Sequence, residues 1–256
     1  MNPANYAIAE RFDEFGFLNQ LKAEGRIGKT GFSYHGDAAT LEKILQAHLD
    51  VDVVQLQVNY LDWDDPAMEA HLCYDIAARY GKEVIVMEPV KGGTLVDLPD
   101  AAVHRLQQAA PDASVASWAI RFAQSLDQVS VVLSGMNTME QLQDNLRDMA
   151  PLSQRDYALL EAVGAIISKS ITVPCTGCRY CVKECPTGVA IPEYFRIYNG
   201  YRRFPEEGWK MAPVYASIAQ KNGKASDCIH CHACEQNCPQ QIPIIHWLAE
   251  IAKALE

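Results

Sequence analysis

Two stretches hold nearly all of the thiols able to bind a metal. Residues 175–186 read CTGCRYCVKECP and residues 228–239 read CIHCHACEQNCP, so eight of the nine cysteines fall into two runs with one spacing, Cys-x2-Cys-x2-Cys-x3-Cys-Pro. Two-residue spacers let one tight loop supply three thiolates. The fourth stands a further turn along a short helix, pointing away from its own loop, and the proline then redirects the chain. Four thiolates disposed as a tetrahedron are what a [4Fe–4S] cubane requires. Paired Cys-x2-Cys knuckles also bind zinc in four-cysteine sites, but that reading leaves the third and fourth cysteines of each run unexplained. His230 and His232 interrupt the second run. With all four thiols present, they read as lining for a cluster pocket rather than as replacement ligands.

The spacing resembles that of bacterial two-cluster ferredoxins over about residues 170–256, in which the last cysteine of each run ligates the other cluster. The resemblance implies that Cys175, Cys178 and Cys181 with Cys238 hold one cluster, and that Cys228, Cys231 and Cys234 with Cys185 hold the second. The long spacer carries EYFRIYNGYRRF and GWKMAPVYASIAQ, expected to be helical and packed round the clusters. In this it is similar to the helical ferredoxin domains appended to redox enzymes.

Ahead of the runs, helical patterns alternate with short β-branched stretches, which predicts parallel βα units. The expected strands are RIGKTGFS (26–33), VDVVQLQVN (51–59), KEVIVMEP (82–89) and QVSVVLSG (128–135). Helices are expected near 37–49, 65–80, 113–126 and 138–148, with Asp37 capping the first and Pro66 in the first turn of the second. A further helix over 153–170 leads out. The strands are apolar on both faces, as in a barrel with helices outside and side chains within. Polar residues and glycines gather just after each strand, where βα barrels build their sites. Cys73, in AHLCYDIAARYG beside Leu72 and Ile76, reads as a small core residue rather than a catalytic thiol.

The successive strand ends GKTGFSYHGD, QLQVNYLDW, EVIVMEPVKGG and VVLSGMNTMEQLQDNL resemble, in order, those of the aldo-keto reductase family. They look most like its branch with a C-terminal ferredoxin-like domain. The expected fold is therefore α/β: the second half of a (β/α)8 TIM-type barrel, about four βα units, followed by a mainly α-helical iron–sulfur domain. The expected division is a partial barrel with its exit helix over 1–170 and a two-cluster domain over 171–256. The resemblance implies NAD(P)H contacts at Ser33, Gln57, Met87, Glu88, Pro89, Ser134, Gly135, Asp144 and Asn145, with Lys91-Gly92-Gly93 as a flexible stretch along the pyrophosphate. Gln141 falls where members that prefer NADPH carry arginine, so a 2′-phosphate would lack its bidentate partner.

The family's proton-donating tyrosine, with its lysine, aspartate and histidine, lies on the first four strands. This sequence resembles the part beginning just after the fourth, so the resemblance assigns no catalytic residue. Tyr34, Tyr60, His35 and Lys91 fall near the expected ligand face, but none occupies a family catalytic position. A half barrel would expose strand edges and an apolar face. Self-association or a separate polypeptide completing the barrel is the expected remedy.

A formal net charge of −10 argues against non-specific nucleic-acid binding, which needs a basic surface. No apolar run approaches the roughly 20 residues of a membrane span, and MNPANYAIAERFDEFGF lacks a signal peptide's layout. Clustered cysteines without a secretory signal fit a reducing, cytoplasmic setting. The expected function is that of an iron–sulfur oxidoreductase of the aldo-keto reductase type, with a nicotinamide cofactor and a redox protein as partners. The competing expectation is a non-catalytic electron-transfer or interaction module.

Overall fold

A computed structural model describes residues 1, 3–147, 150–203 and 208–256. The chain divides into two compact units. The first comprises Met1–Lys91 and Leu95–Gly164, and the second comprises Gly92–Thr94 and Ala165–Glu256.

The first unit opens with helices α1 (Pro3–Arg11) and α2 (Glu14–Ala23), separated at Asp13, whose backbone is left-handed (φ 52°). There follow β1 (Gly31–Ser33), α3 (Ala38–Ala47), β2 (Val53–Gln57), α4 (Ala70–Arg79), β3 (Glu83–Met87), α5 (Asp100–Ala109), α6 (Val115–Gln124), β4 (Val129–Val132), α7 (Met139–Asn145) and α8 (Gln154–Ser170), the last of which runs on into the second unit. The four strands are all parallel, in the order β1-β2-β3-β4, with a register shift between Val84 and Ile85. Alternation along the strands separates two faces. Val54 and Leu56 of β2 and Val84 and Val86 of β3 are buried, whereas Gln55, Ile85 and Met87 on the other face are half-covered. On β4 the expectation of two buried faces does not hold. Val131 is 45% exposed, and Leu133 just beyond the strand is 43% exposed.

The strands are shorter than the β-branched runs suggest. At Thr30, just before β1, the backbone N–H and the hydroxyl both bond the Asp52 carboxylate (2.8 and 3.3 Å), which Lys22 also reaches at 2.5 Å. The Thr30 carbonyl meanwhile accepts from the backbone N–H groups of Asp52 and Val53 (3.0 and 3.1 Å), so polar pinning adds to the pairing where the strand begins. Asp37 caps α3 as expected, accepting from the Thr40 N–H at 2.8 Å. Helix α4 begins at Ala70 rather than near 65, so Pro66 is not in its first turn. Residues Asp65–Met68 instead form a turn in which the Asp65 side chain accepts from the Ala67 N–H (2.8 Å). Glu69 then adopts φ 49° and sends its carboxylate to the Ala38 N–H (2.7 Å), a second anion at the N-terminus of α3. Carboxylates there satisfy orphan donors and complement the helix dipole.

Helix α5 was not among the expected elements. Its signals are Pro99 ahead of it, Asp100 in its first turn, and Ala102 and Leu106 buried four residues apart. The helix expected over 138–148 is seen to Asn145, and its last expected residue lies outside the described residues. Cys73 is buried with Ile76 and Ala77, while Leu72 is exposed. Burial, reinforced by Glu69 and Asp37, pushes the Cys73 thiol up to about 12, the behaviour of a core residue.

The second unit contains α9 (Tyr180–Lys183), α10 (Ile191–Arg203), α11 (Gly208–Ala219), α12 (Ala233–Gln236) and α13 (Ile244–Leu255). The two aromatic segments are helical, forming α10 and α11. Their Tyr194, Phe195, Tyr198 and Tyr215 pack with Ile191, Leu248 and Ile251 into one core. The buried tyrosines keep partners for their hydroxyls: Tyr194 donates to the Gly223 carbonyl (2.8 Å), and Tyr215 accepts from the Ala225 N–H (2.8 Å).

The sequence repeat is larger in three dimensions than in the cysteines. With a constant offset of 53 positions, Cys175 corresponds to Cys228, α9 to α12, and the start of α10 at Ile191 to the start of α13 at Ile244. Left-handed backbone recurs at the same offset, at Gly177 and His230 (φ 72° and 58°), Arg179 and His232 (66° and 60°), and Gly188 and Gln241 (66° and 49°). Each half is one ligand loop, one short helix and one long helix. Among the described residues no helix is long and apolar enough to cross a membrane.

Candidate functional site

The cysteine loops owe their shape to backbone reversals. In each run, residues on both sides of the middle cysteine take positive φ, which curls the loop around its three thiols. In the first run, the Cys175 sulfur accepts from the Gly177 N–H (3.4 Å). The Cys185 sulfur accepts from the Val189 N–H (3.4 Å) and has Thr187 Oγ1 at 3.5 Å. Such N–H and O–H donors to sulfur are the outer-shell contacts that orient and tune cluster thiolates.

The electrostatics tie the two runs together. Burial pushes Cys175 up to about 11, and among the charges that add to this are those of Cys238 and Cys178. Burial likewise takes Cys181 to about 12, with Cys175, Cys178 and Cys238 contributing. Cys238, from the second run, thus stands within electrostatic reach of the first triplet. Cys234 is pushed up to about 11 by burial, with Glu235 and Cys228 adding. Cys185 differs: burial raises it, but bonds from Thr187, Val189 and Gly188 outweigh that, and its pKa falls. A coordinating thiol gives up its proton outright, so iron would replace the protons these buried sulfurs otherwise keep.

Among the described residues no three His, Cys, Asp or Glu side chains converge on a single ion. Eight cysteines in two repeated loops, with backbone donors aimed at sulfur, fit two cubanes. His232 turns its Nδ1 to Glu235 (2.7 Å), so this ring is engaged beside the loop.

In the first unit, the parallel order brings Ser33, Gln57, Met87 and Glu88, and Ser134 to the C-terminal ends of β1 to β4 in succession. Ser33 and Gly135 are exposed, and Pro89 is buried. Met87 is half-buried, and its sulfur accepts from Gln55 (3.4 Å). Several of the remaining side chains are committed within the protein. Gln57 donates to Asp62 (2.9 Å). Asp144 accepts from the Ser114 hydroxyl (2.5 Å), and Asn145 donates to the Ser134 hydroxyl (2.8 Å). Gln141 accepts from the Asn137 N–H (2.8 Å). As arranged, these groups brace the strand ends and helix starts.

The hub of this region is Asp62, which sequence reasoning did not single out. Its two oxygens receive Lys91 Nζ (2.6 and 2.7 Å), Gln57 and Asn59 (both 2.9 Å), and the Asn59 side-chain oxygen Oδ1 in turn accepts from the N–H groups of Leu61 and Asp62. The Lys91 and Asp62 side chains are only 2% and 5% exposed. Lys91 is therefore a buried ion-pair residue and not part of a flexible phosphate-side loop. The polar cluster from Asn59 to Asp65 was visible in the sequence. Its convergence on a lysine far along the chain was not.

Burial raises both Tyr34 and Tyr60, Asp37 adding to the effect at Tyr34, whose hydroxyl donates to the Asp37 carbonyl (2.7 Å). Burial lowers His35, with the nearby N-terminal ammonium acting in the same sense.

A parallel βα sheet followed by a duplicated helical unit with two cubane ligand sets defines a two-part iron–sulfur protein. Residues 4–165 match the model of the Aldo/keto reductase family, and residues 174–242 match a 4Fe-4S dicluster domain. The chain belongs to the aldo/keto reductase family. It is similar to the solved aldo-keto reductase AKR11C1 from Bacillus halodurans in its holo form, at 19% identity and a TM-score of 0.46 over 57% of this chain and 53% of that one. It is also similar to the thermostable aldo-keto reductase Tm1743, at 17% identity and a TM-score of 0.47 over 58% and 53% of the two chains. The chain thus spans about half the length of these structures. No match is found among curated proteins.

Proposed function

We propose that the chain is the cluster-bearing part of an aldo-keto-reductase-type oxidoreductase, in which two [4Fe–4S] clusters exchange single electrons with nicotinamide-linked chemistry. The observation that carries this is the duplicated eight-cysteine scaffold on a chain that also holds family strand ends. Cys175, Cys178, Cys181 and Cys238 would hold one cluster, and Cys228, Cys231, Cys234 and Cys185 the other. The clusters supply one-electron storage. The protein's own residues bury Cys181 and Cys234 and partly cover most of the other ligand cysteines, aim backbone N–H groups at Cys175 and Cys185, and hold the two loops on one core. A redox protein is the expected external partner, in a reducing compartment such as the cytoplasm.

The engagement of Gln57, Asp144 and Asn145 with internal partners favours a second reading, a non-catalytic electron-transfer or interaction module. Anaerobic stopped-flow mixing with NADH or NADPH distinguishes the two. Bleaching of the cluster absorption by either nucleotide supports nicotinamide coupling. Bleaching by a one-electron donor alone leaves the second reading.

A further inference from the structure

The residue after the second cysteine of each run, Arg179 in the first and His232 in the second, stands at the same left-handed turn (φ 66° and 60°) between two ligand cysteines. In each half a carboxylate holds it, but the carboxylate comes from a different place. The Arg179 guanidinium is ion-paired with Glu193, in the first turn of α10. His232 Nδ1 instead meets Glu235 of the short helix α12 (2.7 Å), whose other oxygen accepts from the Ile245 N–H (3.0 Å) at the start of α13. Glu193 and Glu235 are not counterparts in the repeat, since the positions 53 away from them hold His246 and Val182. Two non-equivalent residues thus make one tie, from a ligand loop to the N-terminal turn of the long helix that follows it.

The first tie carries a full charge on each side. Glu193 Oε2 is buried and has no hydrogen-bond partner among the described residues, and the charge of Glu193 is among those felt at the Cys175 sulfur. The Glu193 side chain is 27% exposed and that of Arg179 58%, so water screens the carboxylate less than the guanidinium. We propose that Arg179 and Glu193 form an opposed charge pair that positions the first ligand loop and sets the reduction potential of the cluster it holds. Reduction adds one negative charge to a cluster, so a neighbouring cation favours it, a neighbouring anion opposes it, and the potential follows the local net charge. The inference rests on the two-cluster reading. Failure of that reading would appear as missing cubane signals in the unmodified chain, and failure of the inference as cubane signals with the wrong response to charge.

The test is a potentiometric titration of the intact chain followed by electron paramagnetic resonance, with each signal assigned from variants lacking one cysteine triplet. Glu193→Gln keeps an acceptor for Arg179 and removes the negative charge. The first-run cluster should become at least threefold easier to reduce, a rise of about 28 mV or more for a one-electron couple, with no shift in the second. Arg179→Gln should move the first-run potential the other way and by less, and the double variant should return it close to the original. If Glu193→Gln or Arg179→Gln fails to assemble the first-run cluster, Glu193→Asp and Arg179→Lys, which keep the charges, should assemble it at the original potential. An unmoved potential in Glu193→Gln, shifts of one sign in both single variants, or charge-keeping variants that also lose the cluster overturn the proposal.

Discussion

Replacing Asp62 by alanine should be among the most damaging single changes in the first unit. The substitution removes the buried counter-charge that Lys91 meets at 2.6 and 2.7 Å, and it also strips the acceptor from Gln57 and Asn59. Breaking a buried pair by removing one partner costs about 3–5 kcal/mol, because the remaining charge is left in a poorly solvated place. With a urea slope of roughly 2 kcal/mol per molar, the unfolding midpoint of this unit should fall by roughly 1.5–2.5 M. With Trp209 and Trp247 of the other unit replaced by phenylalanine, Trp63 and Trp118 let fluorescence follow this unit, while the cluster absorption follows the other. The companion variant Asp62→Leu with Lys91→Met removes both charges together and should recover much of the loss, since apolar replacement of a whole buried pair is often near neutral. A loss under about 1 kcal/mol in the single variant, or a double variant no better than the single, would refute the view that this network is held by its charges.

Anaerobically prepared or reconstituted chain should contain about eight irons and eight sulfides, four of each per cubane, and stoichiometric zinc without sulfide would defeat the cluster assignment. Cys185→Ser should damage chiefly the cluster of Cys228, Cys231 and Cys234, and loss confined to the other triplet's signal would refute crossed ligation. Ser114→Ala removes the cap on the Ser117 N–H and the bond to Asp144, so it should cost about 1 kcal/mol, read from urea unfolding of the first unit. The Asp52 carboxylate is held below its ordinary value of 3.8, first by the Lys22 bond and then by the Thr30 N–H. A depressed carboxylate stabilises the fold above its unfolded pKa, and that contribution disappears as pH falls through the folded value. Asp52→Asn should therefore flatten the acid limb of the stability profile below about pH 4, and an unchanged limb would show that Asp52 does not contribute.

What could be read in advance depended on how local its cause was. The ligand spacing of Cys175 to Pro186 and of Cys228 to Pro239 is a short-range property, and it carried the cluster reading without any coordinates. The four strands follow from β-branched runs between helical patterns, and the Asp37 cap from a residue three positions before its donor. Where a tertiary partner intervened, the local signal misled. Pro66 and Asp65 resemble a helix start, but Glu69 is diverted to the Ala38 N–H, and α4 begins only at Ala70. Lys91 in a glycine-rich stretch suggests a mobile loop, but Asp62 buries it.

The sequence alone determined the chemistry of the second unit, because a metal cluster demands a particular number and spacing of thiols and few other needs produce that pattern twice. Tertiary structure decided which polar side chains are already spoken for. Gln57, Asp144 and Asn145 have the chemistry to bind a ligand, but hydrogen bonds form with whatever stands within about 3 Å, and chain folding chose Asp62, Ser114 and Ser134. It also decided that Thr176 and Ile229, equivalent in the repeat, differ in burial as well as in type. Spacing along a chain fixes which groups can converge, but packing fixes which of them are left to act.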